Sequence, residues 1–204
     1  RHDLVHHEHP RLVRQRAAHP RLHRRVQPET AQLAEGAVHG DPARPEPRVG
    51  TVIDEAAAAR LDTVVKSAVE DGAEILLGGD YKSGASFPST VIGKVQRHST
   101  MVVEESFGPL APILSISDID DAITLANSTA YGLSSGIVTN NMEHALKAVK
   151  EIRTGTVNVN EVPGYRIESS PFGGVKDSGV GREGGRWSLD FFSDAKNVCI
   201  ALDE

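Results

Sequence analysis

The sequence predicts an α/β fold with a largely parallel sheet and flanking helices. Two observations carry that prediction. From Gly50 onward, short runs rich in Val, Ile and Leu alternate with helical patterns of ten or more residues. The helical patterns also open and close on recognisable caps, such as Asp54 before the first and Gly72 after it. Strands joined through crossover helices run parallel to one another.

Taken in order, "DEAAAARLDTVVKSAVEDG" is the first clear helix. Leu61, Val64, Val65, Ala68 and Val69 recur at helical spacing and define one apolar face. "AEILLGG" reads as a short buried strand, and "FPSTVIGKV" and "LAPILSIS" as two more. Asp118 is the N-cap expected for the helix in "DIDDAITLANS". "LSSGIVT" is a strand, "NMEHALKAVKEIR" a helix, "GTVNVN" a strand, and "AKNVCIAL" a strand at the C-terminal end of the sequence.

Composition bounds the function. At 204 residues, 39% hydrophobic and 25% charged, the chain can bury a sizeable core. Neither a run of 18 apolar residues nor an apolar stretch behind the basic first residues occurs, so no membrane span or signal peptide is expected. A single Cys, Cys199, excludes an internal disulfide and suggests the cytoplasm. A net charge of −6 argues against nucleic-acid binding by the whole chain. That average conceals a break. Residues 1–48 carry nine Arg, no Lys and six acids, for a net +3, while the remaining 156 residues carry 13 basic and 22 acidic residues, for a net −9. Seven of the nine His also precede residue 49.

Two stretches look built for chemistry. In "VVEESFGPLAP", residues 102–112, the adjacent carboxylates Glu104 and Glu105 precede Phe107 and a Gly-Pro turn. A carboxylate can accept two hydrogen bonds from a ribose diol, and a nearby Phe can pack on a planar heterocycle. The alternative is a solvated acidic pair before a turn. The second stretch is "NVNEVPGYRIESSPFGGVKDSGVGREGG", residues 158–185, with seven Gly. It is either a purely structural loop or a shaped pocket wall, and loops this long in a compact domain are usually functional.

"EESFGP", "AYGLSSGIVT", "GTVNVN" and "PFGGVKDSGVGREGG", in that order and spacing, resemble the C-terminal part of the aldehyde dehydrogenase superfamily. The resemblance covers roughly residues 49–204. It implies the second half of an aldehyde dehydrogenase catalytic domain, over residues 49–192, and a C-terminal oligomerisation strand, over residues 193–204. It also implies NAD- or NADP-dependent oxidation of an aldehyde through a thioester on a catalytic Cys. By the same resemblance Glu105 binds the nicotinamide ribose, Phe107 lies by the nicotinamide, and Phe172 lines the aldehyde pocket. "GTVIDEAAA" and "VPGYRIESSPFGGVKDSG" resemble the phosphonoacetaldehyde dehydrogenase branch most. Arg166, six residues before Phe172, fits an anionic aldehyde, because Arg pairs bidentately with carboxylate or phosphonate oxygens. The alternative is a surface Arg paired with Glu161 or Glu168. Succinic semialdehyde, lactaldehyde and sugar-derived aldehydes remain open as substrates. Lys176 is a secondary candidate, since a lone Lys in a glycine loop is more often solvated.

The resemblance places the nucleophilic Cys among the first ten residues, yet these read "RHDLVHHEHP". Cys199, in an apolar strand, reads as a small packing residue with no catalytic role. No G-x-G-x-x-G-like turn appears either, so little dinucleotide affinity is expected from this chain alone. Residues 1–48 stand apart as an anomalous Arg-, His- and Pro-rich segment, either frame-shifted or disordered. A zinc site from His6, His7 and His9 matches no usual ligand spacing, and a nucleic-acid arm would carry Lys and Gly as well. The favoured reading is translation of GC-rich DNA partly out of frame over residues 1 to about 35, which hold no Lys, Ile or aromatic residue. The expected partners are a small-molecule aldehyde and further copies of the chain through the C-terminal strand. The rival reading is a non-catalytic remnant that pairs with intact subunits.

Overall fold

A computed structural model of the chain describes residues 4–8, 14–18, 27–28, 30–32, 34–35 and 49–202, the first two ranges as backbone. Among the described residues seven strands form one sheet: β1 Leu4–Glu8, β2 Arg14–Ala18, β3 Glu74–Leu77, β4 Thr90–Gly93, β5 Leu110–Ser115, β6 Ser134–Val138 and β7 Thr156–Val159. Their spatial order is β3-β4-β5-β2-β1-β6-β7. The pairs β4–β5, β2–β5 and β6–β7 are parallel, whereas β1 and β3 run antiparallel to their neighbours. Five strands therefore share one direction, as an α/β fold requires.

The helices are α1 (residues 27–28, 30–32 and 34–35), α2 Glu55–Glu70, α3 Thr100–Val103, α4 Ile119–Asn127, α5 Met142–Glu151 and α6 Arg186–Phe191, with a 3-10 turn at Lys176–Ser178. Caps set three of the boundaries. The Asp54 carboxylate accepts from Ala57 N at 2.7 Å, Asp118 from Asp121 N at 2.9 Å, and Asn141 Oδ1 from Glu143 N at 2.9 Å. Gly72, at φ +95°, follows α2 in the left-handed region that a C-terminal stop demands. Leu61, Val64, Val65 and Ala68 bury the inner face of α2. The three larger side chains stabilise the fold by about 1.5–3 kcal/mol each. Val69, expected on the same face, is exposed.

Strand alternation divides the core. Ile92 and Leu114 face the main cluster with Leu61, Val65, Met101 and Ile137. Val91 and Ile113 point the other way, against Ala34 and Leu76.

Three expectations need correction. β3 is half exposed rather than buried, because it is the edge strand of the sheet. Residues 195–202 form no strand, and Cys199 is exposed rather than packed. Among the described residues that segment has no ladder partner. The Arg/His-rich opening, by contrast, promised no strand by composition, yet its backbone supplies β1 and β2. Ladder hydrogen bonds come from main-chain groups whatever the side chains are, and the edges of β5 and β6 would otherwise lack partners.

Candidate functional site at one end of the sheet

The first candidate loop joins α3 to β5. Arg60, on α2, donates to the carbonyl of Ser106 and, at 3.4 Å, to that of Glu105. Gly108 lies against Leu61, one residue further along α2. A Cβ there would meet Leu61 Cδ1 at 2.2 Å, so a larger residue would force the buried Leu61 side chain to shift. Thr90 N donates to Pro109 O at 2.9 Å and ties the turn to β4. So fixed, Phe107 adopts φ +50°, a conformation that a bulky residue rarely takes, and the residue is 58% exposed. Glu105 is half buried beside it. Burial pushes its carboxyl above the usual range, and the positive charge of Arg60 opposes that rise. The Ser106 hydroxyl is buried and makes no hydrogen bond among the described residues.

The second loop leaves β7 and doubles back over the sheet. Asn160, at φ +57°, accepts from Thr139 N at 2.8 Å. Asn158 Nδ2 donates to three loop carbonyls, those of Val162 at 2.9 Å, Pro163 at 3.2 Å and Tyr165 at 3.0 Å. The glycine run then reaches the starting ends of β6 and β7. Val175 N donates to Gly132 O at 2.9 Å, and Gly132 N donates to Ser178 Oγ at 2.9 Å. Gly155 and Gly173 meet backbone to backbone, which excludes a side chain at Gly155.

Phe172 and Glu183 exchange two backbone hydrogen bonds of 2.9 and 2.8 Å, closing the loop on itself. The Arg166 guanidinium lies 4.6 Å from the centre of the Phe172 ring, within cation–π range. Its Nη1 donates to Glu183 Oε1 at 3.0 Å, and its Nη2 stands 3.8 Å from Glu168 Oε2. A cavity of about 230 Å³ opens here, lined by Arg166, Glu168, Ser170, Phe172, Glu183 and Ser188. Phe172 also borders a more apolar cavity of about 380 Å³ with Leu133, Phe191 and Phe192.

Glu105 and Phe107 precede β5, and the glycine run meets the starting ends of β6 and β7, so both loops lie at one end of the sheet. β2 and β1 separate them. Three inter-strand steps correspond to a lateral distance of about 14 Å. The structure thus brings Arg166 and Phe172 into contact and sets Glu105 and Phe107 on a separate loop at the same end.

Lys176 is not solvated. Its ammonium donates to Asn127 O at 3.1 Å and Thr129 O at 3.0 Å at the end of α4, and burial, then the charge of Arg153, lowers its pKa. It clamps the loop to a helix C-terminus and faces no cavity described above. Glu161, offered as a partner for Arg166, instead accepts from Val162 N at 2.8 Å. Sequence reasoning missed Arg60 and Glu183. Each acts across a long sequence separation, 46 residues in one case and 17 in the other, where no local spacing signals a pairing. His9 and the side chains of His6 and His7 lie outside the described residues, among which no group of His, Cys, Asp and Glu is arranged to hold a metal ion. No helix of the described residues is long and apolar enough to cross a membrane.

Comparison with known proteins agrees with this architecture. The model of the aldehyde dehydrogenase family matches residues 9–198, starting inside the Arg/His-rich opening. A sulfoacetaldehyde dehydrogenase from Neptuniibacter caesariensis is 37% identical over 163 residues, which cover 80% of this chain and 36% of that protein. Aldehyde dehydrogenase 21 from Physcomitrella patens, solved with the reaction product succinate, superposes with a TM-score of 0.80 at 35% identity, over 85% of this chain and 36% of that one. Glyceraldehyde-3-phosphate dehydrogenase from Methanocaldococcus jannaschii, solved with NADP, gives a TM-score of 0.80 at 30% identity, over 87% and 38%. The chain spans little more than a third of the length of these relatives. Sequence, topology and structural likeness agree that this chain belongs to the aldehyde dehydrogenase family, whose members use NAD or NADP.

Proposed function

We propose that this chain forms the nicotinamide-facing and substrate-facing walls of an NAD(P)-dependent dehydrogenase that oxidises an anionic aldehyde to its carboxylic acid. Phosphonoacetaldehyde is the substrate that its motifs resemble most, and the sulfoacetaldehyde relative belongs to the same chemical class. The carrying observation is the Arg166 guanidinium, stacked on Phe172 at the mouth of a polar cavity. A cation so placed selects an aldehyde with a negative end, while the ring holds the carbon skeleton.

The half-buried carboxylate of Glu105 suits a ribose diol, and the exposed Phe107 ring suits the nicotinamide face. When bound, the dinucleotide would accept the hydride. Phe172 walls the aldehyde, and Arg166 holds its anion. The expected thiol position falls within "RHDLVHHEHP", so the chain as written binds without turning substrate over.

The test uses phosphonoacetate, an acid product that cannot react further, titrated into the full chain by calorimetry. Saturable binding that Arg166→Gln abolishes is expected. Binding indifferent to that substitution would overturn the assignment.

A second reading is a remnant that joins intact subunits through residues 195–202. Val198, Ile200 and Leu202 are all exposed and have no strand partner among the described residues. Co-purification with a full-length homologue, lost in Ile200→Asp, would support it. Absence of any association would exclude it.

A further inference from the structure

We propose that Glu183 is a specificity-determining residue: its carboxylate occupies Arg166 in the free site and must be displaced by the substrate's anion. The inference rests on the reading of Arg166 as the anion binder. The geometry is specific. The two backbone hydrogen bonds with Phe172 fix Glu183 directly across from the ring on which Arg166 lies. The charge-assisted bond of 3.0 Å between Arg166 and Glu183 then holds the guanidinium in that plane. Glu168, at 3.8 Å and 91% exposed, is the looser partner.

The latch is displaceable because it is wet. The side chains of Arg166 and Glu183 are 41% and 65% exposed, so solvent screens their attraction. A guanidinium has five N–H donors, and Glu183 engages one nitrogen only. Ser188 lies in the same cavity, and its Oγ accepts from Gly184 N at 3.0 Å. It therefore keeps its own proton to donate. An incoming anion finds one cation and two carboxylates, a net negative cluster. It must out-compete Glu183 and tolerate the repulsion of both acids. A three-oxygen head, sulfonate or phosphonate, can take the guanidinium fork and the Ser188 hydroxyl together, whereas a planar carboxylate has only two oxygens to share. The site therefore favours the tetrahedral oxyanion.

The experiment titrates phosphonoacetate and succinate separately into the full chain and into Glu183→Gln, Glu168→Gln, Arg166→Gln and the Arg166→Gln/Glu183→Gln double variant. Circular dichroism confirms each fold. Glu183→Gln keeps the backbone pairing and is expected to tighten phosphonoacetate binding about two- to fivefold, the range for one screened ion pair, and to narrow the preference over succinate. Glu168→Gln should do less. Unchanged or weaker binding in Glu183→Gln, or an equal gain in Glu168→Gln, refutes the latch and leaves the anion-site reading intact. Binding that survives in the double variant refutes the anion-site reading itself.

Discussion

Replacing Gly155 with alanine would test whether the returning loop is seated on the strand ends as described. An alanine Cβ would lie 1.7 Å from Gly173 O, 2.9 Å from the same carbonyl carbon and 3.1 Å from Leu133 O. All three are backbone atoms, so no side chain can rotate out of the way and the loop must lift. Gly155 is not among the residues with positive φ, so alanine carries no conformational penalty of its own. Through the unfolded chain it should even stabilise by about 0.4–1 kcal/mol. The loss is therefore steric. Lifting the loop breaks the bonds from Val175 N to Gly132 O, Asp177 N to Ala130 O and Gly132 N to Ser178 Oγ, of 2.9, 3.0 and 2.9 Å. At about 1 kcal/mol each, less the unfolded-state gain, the net cost is about 2 kcal/mol. Urea unfolding followed by the fluorescence of Trp187 should show a midpoint lower by roughly 1 M, given a slope of about 2 kcal/mol/M. The Val175 and Asp177 amides should lose their protection against hydrogen exchange. A variant of wild-type stability that still protects both amides would show that the loop is not held at this contact.

Removing the clamp by Lys176→Met should leave the carbonyls of Asn127 and Thr129 without their donor and cost about 1–3 kcal/mol in the same assay, with Lys176→Arg recovering part of it. The Asp121 carboxyl is held down to about 2, chiefly by hydrogen bonds of 2.5 and 2.7 Å from Arg97. Because the folded value lies below the unfolded one, its stabilisation is full above about pH 4 and fades as pH falls toward 2. Screening at the half-exposed Arg97 limits it to about 1 kcal/mol, so the stability gap between wild type and Asp121→Asn should close between pH 4 and 2. The Glu105 carboxyl should titrate above an ordinary Glu by NMR, and Arg60→Gln should raise it further; a fall would refute the role given to Arg60. Resequencing the encoding DNA should reveal an alternative frame that restores a Cys near residue 8. Confirmation of the present frame throughout would dismiss the frame-shift reading.

The capped helices were legible because their signals are local. Asp54 and Asp118 sit next to the turns they cap, and the apolar positions of α2 repeat within one element. The loops were legible as motifs, and their internal pairings were not. Sequence proximity pairs Arg166 with Glu161 or Glu168, yet its shortest contact is Glu183, reached only because the chain folds back on Phe172. A lone Lys in a glycine loop reads as solvated, and the end of α4 that Lys176 meets lies far from it in sequence. The edge position of β3 is a property of strand order, which its apolar run cannot reveal. β1 and β2 were invisible for a different reason. Side-chain patterning is what a sequence displays, and their place in the sheet is recorded through main-chain pairing.

That pairing makes the stretch of least ordinary composition a keystone. β3, β4 and β5 form one half of the sheet, β6 and β7 the other, and β1 and β2 bridge them. A main-chain ladder accepts almost any alphabet and forbids proline, which has no N–H to donate. Pro10 and Pro20 fall just beyond β1 and β2, leaving both runs proline-free. A proline brought into either run would remove a ladder donor and open the arch between the two halves.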